Sequence, residues 1–248
     1  MAICTFVNGN LPKKIIGGQT VQIEKYSYQV SIQYQNYHIC GGSIISYHHI
    51  LTAASCVSSD RNVYYANIEI LSGTNDLMRQ TIGWNINKVS RILLHEDYDP
   101  LNYWINDIAL VLVTEPLILN FLRSAIPLPS AAILGNVYFV TGWGINPLTD
   151  TMTRHLQFIY VQSFNPILCR RKYYNELLAP FQNSQYCFEP ILQTAKITWG
   201  NGGSSIIESN KIVGIISAIS VLTSRHVVYT RVEKYPNWIE NNMQKIFK

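Results

Sequence analysis

From Tyr26 to Tyr34 the side chains alternate: Tyr28, Val30, Ile32 and Tyr34 fall on one face, Gln29, Ser31 and Gln33 on the other. A period of two belongs to a strand, and a polar second face predicts a half-buried one. Short apolar runs then recur at 39–45, 50–56, 67–71, 108–113, 137–141, 155–161, 212–216 and 227–232, separated by turn clusters such as Ser72-Gly73-Thr74-Asn75. Many short strands at close spacing predict an all-β chain of two antiparallel barrels, with 121–135 crossing between them. The chain has 248 residues, 48% hydrophobic and 14% charged, enough for a sizeable core without dividing into independent domains. No run approaches the roughly 18–20 apolar residues of a membrane span.

Two helices are expected within this β pattern. Asn165 is placed to cap a short one whose first residue is Pro166. A second starts near Pro236 and carries Ile239, Met243 and Ile246 at i, i+4 and i+7, with Trp238 beside them. Lys245 and Lys248 fall in its last turn, where the helix dipole favours cations.

Net charge is +4 and diffuse, which argues against a nucleic-acid partner. The densest basic cluster, Arg170-Arg171-Lys172, reads as a solvated helix face. Five cysteines are present: Cys4, Cys40, Cys56, Cys169 and Cys187. They show no CxxC or His/Cys metal spacing, and neither a metal nor a cofactor is expected. Cys4 is the natural odd one, and the other four allow three pairings. Paired cysteines imply an oxidising, secreted setting. Residues 1–14 lack a long apolar stretch and read as a leader or pro-segment rather than a signal peptide.

The chemistry rests on three short segments. Leu51-Thr52-Ala53-Ala54-Ser55-Cys56 follows Cys40-Gly41-Gly42-Ser43, Asn106-Asp107-Ile108-Ala109-Leu110 opens a strand, and Trp199-Gly200-Asn201-Gly202-Gly203-Ser204-Ser205 precedes another. With Thr141-Gly142-Trp143-Gly144 and Val228-Tyr229-Thr230-Arg231-Val232, they resemble the trypsin-like serine proteases from Ile15 nearly to the C-terminus. That resemblance implies two six-stranded chymotrypsin-like barrels, with the C-terminal helix against the first. It places the protease domain at 15–248, with the boundary between halves near 121–135. It pairs Cys40 with Cys56 and Cys169 with Cys187, and it puts Thr198 where a further bridge would start. Lys14-Ile15-Ile16-Gly17-Gly18 is similar to the family's activation cleavage site.

The same resemblance exposes what is missing. The family carries Ala-Ala-His-Cys and Gly-Asp-Ser-Gly-Gly-Pro. Here the general-base position is Ser55 and the nucleophile position is Gly202, and only the orienting Asp107 remains. A glycine has no nucleophile, and a hydroxyl has no useful basicity near neutral pH. Asp107 is expected to persist as a buried acceptor, bonded to Ser55. Asn201 replaces the aspartate that pairs with the new N-terminus after activation, so cleavage after Lys14 is not expected to switch the molecule. At the specificity pocket, Lys196 stands for the pocket-base acid, Val227 for a wall glycine, and Ala218 and Ile219 for an aromatic and a glycine that meet substrate. The competing account of these four is a shifted alignment in a variable loop. Gly200 matches one oxyanion-hole residue, or is kept for turn geometry alone.

Three functional readings follow. One is a catalytically dead binding protein. One is an unusual hydrolase whose nucleophile is Ser204 or Ser205, although none of the six histidines, at 38, 48, 49, 95, 155 and 226, aligns with the base position. One is a decoy that occupies inhibitors or substrates through the old cleft, against which Val227 and Ile219 argue. The chain resembles most the scabies mite inactivated serine protease paralogues, related to the mite group 3 allergens. That resemblance implies a secreted, monomeric gut protein that binds host plasma proteins and inhibits complement.

Overall fold

The computed structural model describes residues 18–58, 67–80, 82–102, 104–130, 135–146, 149, 151–177, 184–219 and 225–244. The leader, Cys4, Lys14, Ile15, Ile246, Lys245 and Lys248 lie outside them. Six strands close the first barrel: β2 (Gln29–Tyr34), β3 (Tyr37–Ile44), β4 (His49–Thr52), β5 (Ile68–Ser72), β6 (Asn85–Leu94) and β7 (Ala109–Val113), in the order β2-β3-β4-β7-β6-β5. Before them, β1 (Gln19–Thr20) lies on the second barrel, which is built from β8 (Val137–Gly142), β11 (Gln157–Ser163), β12 (Gln185–Pro190), β13 (Ser205–Glu208), β14 (Lys211–Ile219) and β15 (Val227–Arg231). The β8–β11 pairing closes this ring, and β9 (Ile145–Asn146) and β10 (Thr151–Met152) form a small hairpin beside it. Every pairing is antiparallel.

Asn165 caps α1 (Pro166–Leu177) through its Oδ1, which accepts the N–H groups of Ile167 and Leu168. Helix α2 (Pro236–Gln244) sets Trp238 and Ile239 into the apolar cluster of the first barrel, beside Val232 and Tyr235. Two disulfides form, Cys40–Cys56 and Cys169–Cys187, with Cα atoms 5.9 and 6.2 Å apart.

Strand β2 departs from the half-buried expectation: Gln29, Ser31 and Gln33 are as buried as the apolar residues between them. Their face is the seam between barrels, not solvent. Thr141 of β8 donates to Gln29 Oε1 at 2.8 Å, and Ser31 Oγ meets His38 Nδ1 at 2.8 Å. A buried amide or hydroxyl is tolerated where its hydrogen bonds are made. The seam brings the 3-10 turn after β4 and the turn before β13 to face each other, and Ser55 and Gly202 sit on those two turns.

Candidate active site remnant

Ser55 lies in the 3-10 turn Ala54–Cys56, held by the Cys40–Cys56 bridge. Asp107 precedes β7 and is fully buried. Its carboxylate accepts Ser55 N–H at 2.8 Å, Ser55 Oγ–H at 2.9 Å and the hydroxyl of Ser217 in β14. Burial pushes its carboxyl above the ordinary range, and these hydrogen bonds with the one from Ala54 N–H oppose that rise. Ser55 thus fills the place of an imidazole on Asp107 without supplying a base. Sequence reasoning missed Ser217, although a lone hydroxyl inside the apolar run 212–219 was the signal for it.

Gly202 sits against the bridge. A Cβ built there meets Cys40 Sγ and Cys56 Sγ, each at 3.5 Å, an ordinary contact. The position accepts a Cβ without a close contact, yet carries no side chain. Its neighbour Gly203 is different: at φ +75° it packs under Thr52 Oγ1 and Gly41 O, so only glycine fits. Ser204 and Ser205 are both fully buried, and Ser205 Oγ accepts from Ser43 Oγ at 2.7 Å. Neither presents a hydroxyl to a substrate.

Gly200 keeps the left-handed φ of +93°. Its carbonyl accepts from His38 Nε2 at 2.9 Å, which leaves Nδ1 to accept the Ser31 hydroxyl. The ring is neutral, because burial lowers the His38 pKa to about 4, against the two backbone hydrogen bonds that would raise it. This imidazole positions a backbone turn and is not aimed at Ser55. His49, also lowered to about 4 by burial and by neighbouring His48, is bonded to Ser46 Oγ at 2.6 Å.

Asn201 is fully buried between Gly142 and Gly144. Its Nδ2 donates to Thr198 O at 2.9 Å, and its backbone N–H donates to the same carbonyl at 3.2 Å. The side-chain amide therefore ties the 198–201 turn to itself. Its Oδ1, like Ser204 Oγ, makes no hydrogen bond among the described residues.

The pocket positions separate. In the alternation Ala195-Lys196-Ile197, Lys196 is exposed while its neighbours point into the second core. Lys196 is therefore turned away from the apolar cluster that holds its two neighbours. Val227 is fully buried in that core with Ile197, Val213, Ile216 and Tyr229, and pairs with Ile219 across β14–β15. Ala218 packs on Cys169, Cys187, Tyr173 and Val228. Val227 is thus packed among apolar side chains of the second core, and Lys196 lies outside that cluster.

Among the described residues, no group of three or more His, Cys, Asp or Glu could hold a metal, and no helix is long and apolar enough to cross a membrane. The family model described as Trypsin matches residues 15–239. Rat trypsin V-B is 26% identical over 246 residues, covering 97% of this chain and 94% of the relative. Rat trypsin V-A is similar to the same degree, and rat cationic trypsin-3 is 26% identical over 234 residues, covering 93% of this chain and 90% of the relative.

Proposed function

The chain belongs to the trypsin family, and from that premise we propose that it is a proteolytically inactive member acting as a secreted binding protein. The family's reaction needs a hydroxyl to attack the acyl carbon, an imidazole to take its proton, a carboxylate to fix that imidazole, and N–H donors for the oxyanion. One observation carries the reading: Asp107 is already satisfied by Ser55 and Ser217, opposite a nucleophile position that is Gly202. In a protease of another fold with the same triad, loss of the serine or the histidine alone lowers turnover roughly 10⁶-fold. That is about 8 kcal/mol of barrier. Burial of Val227 among apolar side chains of the second core supports it further, since the resemblance puts a wall glycine of the specificity pocket at that position.

The likeness to the scabies mite inactivated paralogues supplies the finer reading: host plasma proteins as partners and restraint of complement as the outcome. Two disulfides suit secretion into an oxidising compartment. The test has two arms. A fluorophosphonate probe and a set of peptide esters are incubated with the purified chain, and no covalent label and no turnover are expected. Labelling at Ser204 or Ser205, or protease-like turnover with contaminants excluded, overturns inactivity. Adding the chain to host serum is expected to reduce complement lysis in proportion to dose, and unchanged lysis overturns the finer reading.

A further inference from the structure

Away from the old cleft, three segments are locked together so as to display apolar side chains. The first is 76–84. Asp76 anchors it, accepting Arg154 Nε and Nη2 at 2.8 and 2.7 Å and the N–H groups of Met78 and Gln80 at 2.9 and 3.3 Å. The second is the tip of the β2–β3 hairpin, where Gln35 and Asn36 both have positive φ, as a two-residue turn requires. Arg79 Nη2 joins it to the first segment by donating to Gln33 Oε1 at 2.7 Å and Asn36 Oδ1 at 3.3 Å. The third is 118–123. Arg123 is buried and donates to Ile118 O at 2.9 Å and Gly83 O at 2.6 Å, and Gly83 packs directly on Leu122.

This frame presents Tyr37, Met78, Ile82, Trp84, Ile118 and Phe121, six of the fifteen exposed large hydrophobic residues among those described. Ile82 is 98% exposed and Tyr37 77%. Exposed apolar residues scattered singly need no explanation, but a cluster on a rigid frame does. Because the backbone is fixed beforehand, a partner does not have to order it. The composition is that of interface centres, rich in Trp, Tyr and Arg. The Arg79 guanidinium lies over the Trp84 ring, 5.7 Å from its centroid. Its hydrogen bonds go to neutral amides, and the one carboxylate of the loop, Asp76, is buried and engaged by Arg154. The surface therefore offers a cation paired with no acid among the described residues, set among apolar side chains.

We propose that this surface docks a protein segment in which a carboxylate is flanked by aromatic or aliphatic residues, and that it is the contact face of the binding protein inferred above, on which reading it rests. Charge complementarity selects that occupant. A two-fold contact between copies would bring two Arg79 cations into one interface with no added acid. An anionic membrane gains little from one or two cations, since stable attachment needs clusters of four or more.

The test uses the full chain and a fluorescein-labelled Glu-Tyr-Glu-Phe-Glu peptide, followed by anisotropy, with Gln-Tyr-Gln-Phe-Gln as control. The glutamate peptide is expected to bind, to weaken with salt, and to outcompete the glutamine peptide by about tenfold or more. Ile82→Ser, Trp84→Ala and Arg79→Ala are each expected to weaken binding by about tenfold. Leu101→Ser, an exposed change outside the three segments, is expected to leave it unchanged. Ile82 is almost fully exposed, so its variant keeps the test valid should Trp84→Ala disturb the loop. Equal binding of the two peptides, indifference to the three variants, binding only to phosphatidylserine vesicles, or a dimer in sedimentation that Ile82→Ser dissolves would each overturn the proposal. If the chain hydrolyses esters yet binds the peptide here, the inactive reading fails and this surface stands; the converse pair of results separates them the other way.

Discussion

Replacing Asn201 by aspartate restores the family's own residue and is expected to damage this chain. The amide is fully buried, and its Nδ2 holds Thr198 O at 2.9 Å. An ionised aspartate puts a second acceptor against that carbonyl and buries a charge with no partner. The carboxyl instead stays protonated, donating its hydrogen to Thr198 O, and its pKa in the folded state rises above the ordinary value near 3.9. Below pH about 4 both states carry the proton, and Asn201→Asp is close to neutral. Above it, the unfolded chain ionises and the folded chain does not. Each pH unit then costs about 1.36 kcal/mol, so at pH 7 the loss is about 4 kcal/mol if the folded pKa exceeds 7. Urea unfolding of parent and variant between pH 4 and 8 measures this difference. The parent is expected to show no stabilisation when the chain is cut after Lys14, because a neutral amide gives an ammonium little reason to insert. The cut variant is expected to recover part of its loss by pairing the Ile15 ammonium with the new carboxylate. A variant as stable as the parent at pH 7, with no dependence on pH, refutes the reasoning. So does a large stabilisation of the parent on cutting.

Four other outcomes follow from the same geometry. Gly202→Ser together with Ser55→His is expected to produce labelling by a small fluorophosphonate, since a Cβ at position 202 meets only ordinary contacts. Either change alone is expected not to label, and peptide turnover is expected to stay absent in a peptide-substrate assay, because Val227 stands where the family keeps a pocket-wall glycine. Breaking Cys40–Cys56 by a double alanine change is expected to cost about 3 kcal/mol in chemical denaturation, the loop being closed over a separation of 16 residues. Hydrogen bonds from Arg154 hold the Asp76 carboxyl down to about 2. The stability this gives is present above pH about 4 and lost as pH falls towards 2. Asp76→Asn is expected to remove that acid limb from a denaturation series, at a cost of about 1–2 kcal/mol at pH 7 once the solvent screening of Arg154 is counted. His38, neutral and lowered to about 4, acts with the opposite charge sign: its folded state resists protonation, so stability falls as pH drops from about 6.5 through 4. The His38 imidazole resonances in an NMR titration are expected to hold their neutral shifts across pH 5–7.

The residues that revealed the fold were those whose identity is dictated locally. Alternation marked β2, and Asn165 with Pro166 marked the start of α1. Strand β6 was not legible, because a register shift between Val89 and Arg91 breaks its period of two and both its faces are partly exposed. Strand β12 was missed as well; it opens on polar Gln185 and closes on Glu189-Pro190, where Glu189 is tied by Arg225 at 3.0 Å and Gln162 at 2.9 Å. The polar face of β2 looked solvent-bound because its partner Thr141 lies 112 residues away from Gln29, and no local pattern carries that pairing.

At the site, the two losses could be read directly, since each is the identity of one residue. What the remaining groups do in their absence could not be read. Asp107 is the sharpest case. A buried carboxylate left without its histidine would be expected to destabilise the fold by several kcal/mol. The structure avoids this with two hydroxyls and a backbone N–H, from Ser55 and Ser217, which come from three-dimensional proximity across the seam. Ser55 is therefore more than a lost base: it is the side chain that makes the loss tolerable. Ser55→Ala tests that role by stability alone, apart from any catalysis. With one donor gone, a further rise in the Asp107 pKa and a loss of about 1–3 kcal/mol are expected in urea unfolding at neutral pH. The loss is expected to shrink as pH falls and the carboxyl protonates in both states. A variant as stable as the parent at pH 7 would show that the hydroxyl is incidental, and that the scaffold tolerates a bare aspartate for some other reason.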